Sequence, residues 1–254
     1  MNKKILYYWY LITLILNKKK LNSKIGSQNE KTESAFLIEF IKKVENKKFI
    51  EFGFHPLEFN TIHLMTSKYE GTLVDANKKS VILMKLFNFF HNYNIKSINL
   101  FLNKENITKV LKHNFGIFSI DVDGNDYWLT KEVLNHNTNF ELMIVEYNSS
   151  FLDKSVTVPY DPLFNRHQKH KSGWYHGASL KAFINLFDKK DYALIKTIGG
   201  NNAFFTKRKL LNKFNFKEIS FEEGFEECKL RNQWSNTSAK QQFDEIKKLE
   251  MINV

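Results

Sequence analysis

Residues 118–128 read Phe-Ser-Ile-Asp-Val-Asp-Gly-Asn-Asp-Tyr-Trp, and this stretch decides how the rest of the chain is interpreted. It begins with apolar residues and runs into Asp121, Asp123 and Asp126, which are grouped about Gly124. An apolar run that ends in carboxylates and a glycine is typical of a buried strand that delivers polar groups to the edge of a sheet, where open α/β folds build their sites. The stretch therefore predicts a strand that ends at a functional site.

Short apolar runs on both sides of this stretch alternate with helical segments. The predicted strands in this part of the chain are 49–52, 71–76, 97–102, 115–121 and 140–146. Because each connection between parallel strands needs a crossover, this alternation predicts a parallel sheet with α/β architecture. A long irregular stretch, 149–175, interrupts the pattern and is typical of a lid that packs onto a site. A helix at 177–187 and a hairpin of strands 192–198 and 202–206 follow, and the hairpin adds an antiparallel strand to the sheet.

Composition restricts the class of protein. The chain has 254 residues, is 43% hydrophobic and 15% aromatic, and so predicts a folded globular protein rather than a disordered one. The net charge of +11 comes from 35 Lys and only three Arg beside 28 Asn. Because Arg is the residue suited to bidentate contacts with phosphate or guanine, this balance favours an AT-rich coding bias over nucleic-acid binding. The single cysteine, Cys228, allows no intrachain disulfide and indicates a reducing, cytoplasmic compartment.

The N-terminal residues 5–16, ILYYWYLITLIL, are apolar and flanked by lysines. As a helix they would extend about 18 Å, against roughly 30 Å for a bilayer core, so they are too short for an ordinary transmembrane helix. Two alternatives stay open: peripheral contact with anionic lipid, or packing on the domain or a partner. The predicted organisation is an apolar segment and linker at 1–31, the α/β domain at 32–220, and a charged tail at 221–254 that is helical from Thr237 and has no assigned chemistry.

The first predicted strand carries the features of a nucleotide site. Glu51 lies near the end of this strand, and Gly53 follows the strand directly. Asp75 ends the second strand 22 residues beyond the glycine. A glycine there lets the backbone approach a ligand, and a carboxylate about 20 residues further on is where α/β nucleotide folds bind ribose hydroxyls. The spacing indicates an adenosine-type ligand, with an ordinary structural turn as the alternative.

The central acidic stretch predicts chemistry beside that ligand. Asp121 ends the fourth strand, and Glu146 and Asn148 end the fifth next to it. Carboxylates and an amide oxygen on neighbouring strand ends suit Mg²⁺ or Mn²⁺, with Asp121, Asp123 and Asn148 as the predicted ligands, or they raise the pKa of one carboxylate until it acts as a base. The alternative is that Asn125 or Asp126 caps the next helix while the others orient backbone amides.

Histidines offer a second source of proton transfer. His176 stands at a predicted helix start and is the candidate, together with Asp121, Asp123 and Glu146, for a catalytic role. His167 and His170 lie among lysines and a glutamine, which favours a solvated loop over a metal site.

Six motifs occur in an order that resembles a known protein family. They are Glu51-Phe-Gly with Phe59-Asn-Thr61, Ser119 to Trp128, Val145-Glu-Tyr-Asn148, Val158-Pro-Tyr-Asp161, Tyr175 to Leu180 and Asn202-Ala-Phe-Phe205. Together, over residues 35 to 210, they resemble a little-characterised bacterial family related to the FkbM-type methyltransferases.

The resemblance implies a Rossmann-like class I methyltransferase fold, with a mostly parallel seven-stranded sheet, a C-terminal antiparallel hairpin strand, helices on both faces, and S-adenosylmethionine as cofactor. By carry-over, Glu51 and Gly53 would approach the methionine part of the cofactor, Asp75 the ribose, and Asn103 or its neighbours the adenine edge, while Asp121 would line the methyl-transfer crevice. The single glycine of the first loop, followed by Phe54-His55-Pro56, departs from the family pattern.

The acidic run also resembles, more distantly, a motif of metal-dependent sugar O-methyltransferases, which implies a sugar or other polyhydroxyl acceptor and a role in surface polysaccharide synthesis. Two alternatives belong to other classes. One is a non-catalytic binding or scaffold protein of this fold, associated with a membrane or a biosynthetic complex. The other is a metal-dependent hydrolase that uses Asp121, Asp123 and Glu146.

Overall fold

The computed structural model describes residues 3–24, 26, 30–67, 69–136 and 139–254. The strands are β1 (Lys48–Phe52), β2 (Glu70–Asp75), β3 (Ile95–Asn99), β4 (Ile117–Ile120), β5 (Leu142–Glu146), β6 (Val156–Thr157), β7 (Tyr192–Ile198), β8 (Asn202–Lys207) and β9 (Ile252–Asn253). The α-helices are α1 (Lys3–Leu16), α2 (Lys18–Asn22), α3 (Glu30–Ile41), α4 (Ile62–Met65), α5 (Lys78–His91), α6 (Asp126–Asn135), α7 (Arg166–Lys169), α8 (Leu180–Asp188), α9 (Leu211–Phe214), α10 (Phe221–Gly224), α11 (Lys229–Ser235) and α12 (Ala239–Ile246).

Seven strands form one sheet in the order β3-β2-β1-β4-β5-β8-β7, with β3 and β7 at its two edges. The pairs among β1 to β5 are parallel, whereas β8 runs antiparallel to both β5 and β7. This is the strand order of the class I methyltransferase fold. The predicted α/β fold, with an antiparallel hairpin strand in an otherwise parallel sheet, is confirmed.

The sheet is buried on both faces. Met143 and Ile144 are neighbours on β5 and both fully buried, although successive side chains of a strand point to opposite faces. On one face the rings of Phe187 in α8 and Phe205 in β8 stack with centroids 4.0 Å apart. On the other face the preceding residue of β8, Phe204, packs edge-on against the ring of Phe36 from α3. Two-sided burial explains why the strands appear in the sequence as continuous apolar runs rather than alternating ones.

Two elements differ by three residues from their predicted bounds at one end. The third strand ends at Asn99, not 102, because the Asn99 side-chain amide donates to the carbonyl oxygens of Asp75 and Ala76 at 3.0 and 2.9 Å and closes the strand end. The helix predicted from Gly177 begins at Leu180, since the Ser179 hydroxyl caps it by accepting from the amide of Ala182 at 3.0 Å. Residues 100–102 are thereby free to turn toward the carboxyl edge of the sheet.

The segment after residue 221 packs against the long stretch that follows β5. Strand β9 pairs with β6, and the fully buried Gln242 of α12 accepts a hydrogen bond of 2.6 Å from the hydroxyl of Ser150. The predicted helix from Thr237 is α12. Because of this packing, α11 lies beside the end of β5.

The N-terminal helix α1 contacts the end of α5. Leu14 is fully buried, its carbonyl oxygen lies 3.1 Å from Nε2 of His91, and the Lys18 ammonium donates to the carbonyl of His91 at 2.7 Å. The described part of α1 exposes five large hydrophobic side chains: Leu6, Tyr7, Trp9, Ile12 and Leu16. Among the described residues, no helix combines the length and the apolar character needed to cross a membrane.

Candidate functional site

The sheet reverses its strand order between β1 and β4, and open α/β sheets bind ligands at this point. Phe52 pairs with Ile120, so the loops that begin at Gly53 and Asp121 lie side by side. Gly53 has a φ of +78°, and a Cβ added to it would lie 1.7 Å from the carbonyl oxygen of Asp121. Only glycine fits here, because both the left-handed backbone and the close contact exclude a side chain.

A cavity of about 440 Å³ opens between these loops; we call it the switch-point cavity. Its walls include Gly53, Asp75, Phe101, Leu102, Asp121 and Phe164. The predicted cofactor residues Glu51, Gly53, Asp75 and Asp121 all line it. Carboxylates and apolar side chains therefore share one cavity at the place that the strand pattern indicates.

Glu51 holds the loop that follows Gly53. Its carboxylate is fully buried, accepts from the amides of Asn60 and Thr61 at 2.9 Å each, and also accepts from the Thr61 hydroxyl. Burial raises the pKa of Glu51 to about 7. Its contacts show that Glu51 positions the loop wall of the cavity.

Asp75 has a similar bracing role with an open side. Its two oxygens accept from the backbone amides of Phe54, at 3.0 Å, and Asn77. The side chain is half-buried, and each carboxylate oxygen retains a second lone pair for a hydroxyl donor. Asp75 therefore connects the first loop with the strand end from which ribose hydroxyls are bound in such folds.

Asn103 does not line the switch-point cavity. Its side chain accepts from the amide of Asn106 at 3.0 Å, and its own amide donates to the Asn106 side chain at 3.0 Å, which forms a local turn. Phe101 and Leu102 occupy the wall instead, because β3 ends earlier than predicted. Of the residues predicted for the adenine edge, Asn103 or its neighbours, the neighbours Phe101 and Leu102 line this cavity.

The three aspartates of the central stretch have three different environments. Asp126 is buried and accepts from the amides of Val122 and Gly124 at 2.8 Å each, as the loop-orienting alternative predicts, and burial raises its pKa to about 6. Asp123 is exposed, has a φ of +57° and forms an ion pair with Arg166. Asp121 lines the switch-point cavity, as Asp123 does, and its carboxyl group interacts with that of Glu146.

Asp121 and Glu146 form a pair of interacting carboxyl groups at the ends of β4 and β5. One carboxylate oxygen from each of Asp121, Asp126 and Glu146 lies within 4.8 Å of the others. Burial and the neighbouring Glu146 raise the pKa of Asp121 well above its ordinary value, and burial together with Asp123 raises the pKa of Glu146 to about 7. Two such groups share a proton readily, so one is a proton acceptor near neutral pH.

His176 is buried against this pair. Its side chain is 1% exposed, and Nε2 has no hydrogen-bond partner among the described residues, although it lies 4.0 Å from a carboxylate oxygen of Glu146. Burial, with Arg166 and Arg231 nearby, lowers the pKa of His176 well below its ordinary value. His176 is therefore a neutral imidazole whose free nitrogen faces Glu146.

Of the predicted metal ligands Asp121, Asp123 and Asn148, the structure engages the side chain of Asn148 in other contacts. The oxygen of the Asn148 side chain accepts from the amide of Ser150 at 3.0 Å and from Arg231 at 2.7 Å, while its nitrogen donates to the carbonyls of Trp174 and His176. With its amide so engaged and a guanidinium against its oxygen, Asn148 is a positioning residue, which corrects its assignment as a ligand. The ligand sets that the fold does group are Asp121, Asp126, Glu146 and Asp123, Glu146, His176.

A second cavity, of about 320 Å³, lies on the β5 side of the site, and we call it the arginine cavity. Its walls include Glu58, Glu146, Arg166, Asn201, Arg231 and Trp234. Glu58 lines both cavities, and the Asp121–Glu146 pair contributes one residue to each. The pair therefore stands where the two cavities meet.

The sequence pattern did not identify Arg166, Arg231 or Trp234 as candidate site residues. The chain has three arginines among 38 basic residues, and two of them, Arg166 and Arg231, line this one cavity. That scarcity was the available signal, because a sequence that uses lysine almost everywhere retains arginine where its planar fork matters.

Comparison with known proteins shows likeness in fold. No protein-family model and no curated protein matches the chain. Similar solved structures include cofactor-bound Rv0187 from MTB, with 10% identity over 78% of this chain and 89% of that chain and a TM-score of 0.49. The O-methyltransferase from Bacillus cereus in complex with SAH has 15% identity over 77% and 87% and a TM-score of 0.46. The N-terminal domain of EvdMO1, in the presence of SAH and D-fucose, has 12% identity over 70% and 81% and a TM-score of 0.45.

Proposed function

We propose that the protein is an S-adenosylmethionine-dependent methyltransferase that methylates a hydroxyl oxygen of a sugar or other polyhydroxyl acceptor. The observation that carries the proposal is the switch-point cavity, which joins Gly53, Asp75 and Asp121 at the carboxyl edge of β1, β2 and β4. Its volume of about 440 Å³ is of the size that cofactor sites have, roughly 300–1,000 Å³. The glycine that the fold requires at position 53 lets the loop after β1 lie against the backbone of Asp121 at this edge.

The lining of the cavity suits the parts of this cofactor. Asp75 offers carboxylate oxygens for ribose hydroxyls, and Phe101 and Leu102 offer apolar surface for the adenine ring. When bound, the cofactor supplies a methyl group on a positively charged sulfur. Asp121 lines this cavity, and a cationic sulfur beside it would favour the ionised form of its carboxyl group.

The Asp121–Glu146 pair has the properties of a general base. In the transfer, the acceptor oxygen forms a bond to the methyl carbon, the carbon–sulfur bond breaks, and the hydroxyl proton passes to the carboxylate of Glu146. A pKa of about 7 places Glu146 near the value at which a base is both deprotonated and strong at neutral pH. The neutral imidazole of His176 lies beside Glu146, with Nε2 4.0 Å from a carboxylate oxygen, and adds no positive charge.

Replacing Asp75 tests the cofactor assignment. We expect Asp75→Ala to weaken binding of S-adenosylhomocysteine by about tenfold to a hundredfold, because it removes the acceptor for ribose hydroxyls. Isothermal calorimetry on the purified protein measures the affinity, and Asp153→Ala, at an exposed position, is the matched control. Absence of binding by the unaltered chain, or equal binding by the Asp75 variant, would contradict the proposed function.

A contact with anionic lipid through α1 is a second proposal, and it also serves the alternative of a non-catalytic scaffold. Trp9 and Leu16 are 61% and 70% exposed, and Lys18 to Lys20 follow them directly. Buried apolar area and lysine charge both contribute to binding at a lipid surface. These side chains are free for such a contact even though Leu14 is packed in the core.

Sedimentation with vesicles tests this proposal. We expect the full chain to sediment with vesicles that contain phosphatidylserine, and the double variant Trp9→Glu, Leu16→Glu to stay in the supernatant. Leu163→Glu, at a position 77% exposed in another part of the molecule, is the control and should still sediment. Equal sedimentation of all three proteins would exclude α1 as the contact, whereas sedimentation without any binding of S-adenosylhomocysteine would favour the scaffold alternative.

A further inference from the structure

Arg231 brings to the arginine cavity a guanidinium group whose hydrogen-bond partners are neutral. Arg231 donates from Nη1 to the side-chain oxygens of Asn148 and Ser150 at 2.7 and 3.2 Å, and both of these partners are neutral. Within the described residues, Arg231 forms no ion pair, whereas Arg166 is paired with Asp123 and also donates to the carbonyl of Gly173 at 3.0 Å. The Nε and Nη2 donors of Arg231 are thus left for a group that enters the cavity.

Two carboxyl groups share the cavity wall with Arg231. Burial and neighbouring acids raise the pKa of Glu146, and the nearby Arg231 and Arg166 act in the opposite direction. Glu58 is exposed to solvent at the boundary with the switch-point cavity. A guanidinium whose nearest partners are neutral is a binding site for an anionic oxygen group, which it contacts in a bidentate manner.

Trp234 adds an apolar surface to the same cavity. It is three residues after Arg231 on α11, so the two side chains share one face of the helix. The indole is 83% exposed, although a tryptophan of a folded domain normally buries most of its area. The indole and the guanidinium group of Arg231, which keeps its Nε and Nη2 donors available, line the same cavity. Together they suit a ring that carries both C–H groups and an acidic substituent.

We propose that the methyl acceptor is an anionic hydroxyl compound, a sugar acid or a sugar phosphate, whose anionic group is held by Arg231 and whose ring lies on Trp234. Its hydroxyl then faces the Asp121–Glu146 pair at the junction of the two cavities. That the bound anion is the methyl acceptor rests on the proposed function. The anion site itself does not depend on the proposed function. It gives the arginine cavity the substrate-selecting role and the switch-point cavity the cofactor role.

The first experiment compares three probes on the unaltered full chain. Calorimetry measures the affinity for D-glucuronate, glucose 1-phosphate and D-glucose, each with and without S-adenosylhomocysteine. We expect at least one of the two anions to bind tenfold or more tightly than D-glucose. Preference for glucuronate alone identifies a carboxylate, and preference for glucose 1-phosphate alone identifies a phosphate. If neither anion binds more tightly than D-glucose, the inference is overturned.

The second experiment assigns the anion site to Arg231. Arg231→Gln should lower the affinity for the preferred anion at least tenfold, to the level of D-glucose, and Arg231→Lys, which keeps the charge but loses the fork, should fall between the two. Arg208→Gln is the matched control, because Arg208 is bound to Asp188 and Glu218 outside both cavities. An unchanged anion affinity in either Arg231 variant would refute the assignment.

Binding of S-adenosylhomocysteine in the same samples separates the two proposals. If Arg231→Gln still binds S-adenosylhomocysteine, this variant is folded. If it is not folded, Arg231→Lys and the comparison of the three probes still test the anion site. Binding of S-adenosylhomocysteine without any preference for an anion would refute only the proposed class of acceptor. Anion preference that depends on Arg231, without such binding, would refute the proposed function alone.

Discussion

Gly53→Ala is expected to lower the free energy of unfolding by about 3 kcal/mol or more and to abolish binding of S-adenosylhomocysteine. The added Cβ would lie 1.7 Å from the carbonyl oxygen of Asp121 and 2.7 Å from its carbonyl carbon, so β1 and β4 would have to separate at the carboxyl edge. Those two strands form the floor of the switch-point cavity. Because the obstacle is backbone, no side-chain rotation relieves it.

Gly177→Ala is the matched control for this variant. Gly177 also has a left-handed backbone, with a φ of +63°, but a Cβ there meets only a carboxylate oxygen of Asp126 at 3.8 Å. The control therefore has the conformational cost of about 1–2 kcal/mol without the steric clash. Urea denaturation of both variants measures the difference, and equal destabilisation would show that the close approach of β1 and β4 is wrong.

Glu146→Gln is expected to lower the rate of methyl transfer by about a hundredfold to ten-thousandfold, the usual contribution of a general base. The amide cannot take the proton of the acceptor hydroxyl, but it occupies nearly the same volume. In the unaltered protein kcat/KM should rise about tenfold per pH unit below pH 7 and level off above it, because the folded pKa of Glu146 is about 7 and its ionised form is the active one.

The rate is measured as formation of S-adenosylhomocysteine with whichever of D-glucuronate, glucose 1-phosphate and D-glucose the unaltered protein methylates. The variant should bind S-adenosylhomocysteine as before and lose the rise through pH 7. Glu39→Gln, at an exposed position of α3, is the control and should keep both the rate and the pH profile. A Glu146 variant with an unchanged rate would exclude the carboxyl pair as the base.

The sequence predicted the parallel part of the sheet and the edge at which its strands end. The apolar runs of β1, β2, β4 and β5 are short and bounded by polar residues, so their ends could be located. Parallel strands place their carboxyl ends at one edge, which is why Gly53, Asp75 and Asp121 were expected together and are found lining one cavity. Glu146 follows from the same argument, since β5 pairs directly with β4.

Side-chain hydrogen bonds limited the rest of the prediction. Asn148 stands at a strand end like a metal ligand, but its amide is occupied by Ser150, Trp174, His176 and Arg231, and none of these contacts is visible in local spacing. Asn103 missed the cavity wall because Asn99 ends β3 early. In both cases a polar side chain satisfied backbone groups that the pattern of apolar residues does not record.

Arg231 was beyond prediction for a different reason. Its partner Asn148 is 83 residues away in the sequence, and the contact forms only because α11 and α12 dock on the stretch after β5. A polar segment with helical pattern does not state which surface it covers. Composition gave the only sign, the retention of three arginines in a chain of 35 lysines.

Two of the lysines lie on the outermost strands of the large sheet. Strands β3 and β7 are the outermost strands of the sheet, and each carries one exposed lysine within the strand, Lys96 and Lys196. At Lys196 the pairing of β7 with β8 also shifts register, which bends the edge. Charged side chains and bulges on edge strands hinder the addition of a strand from a second molecule. Protection against edge-to-edge aggregation is therefore built into the same sheet that forms the two cavities.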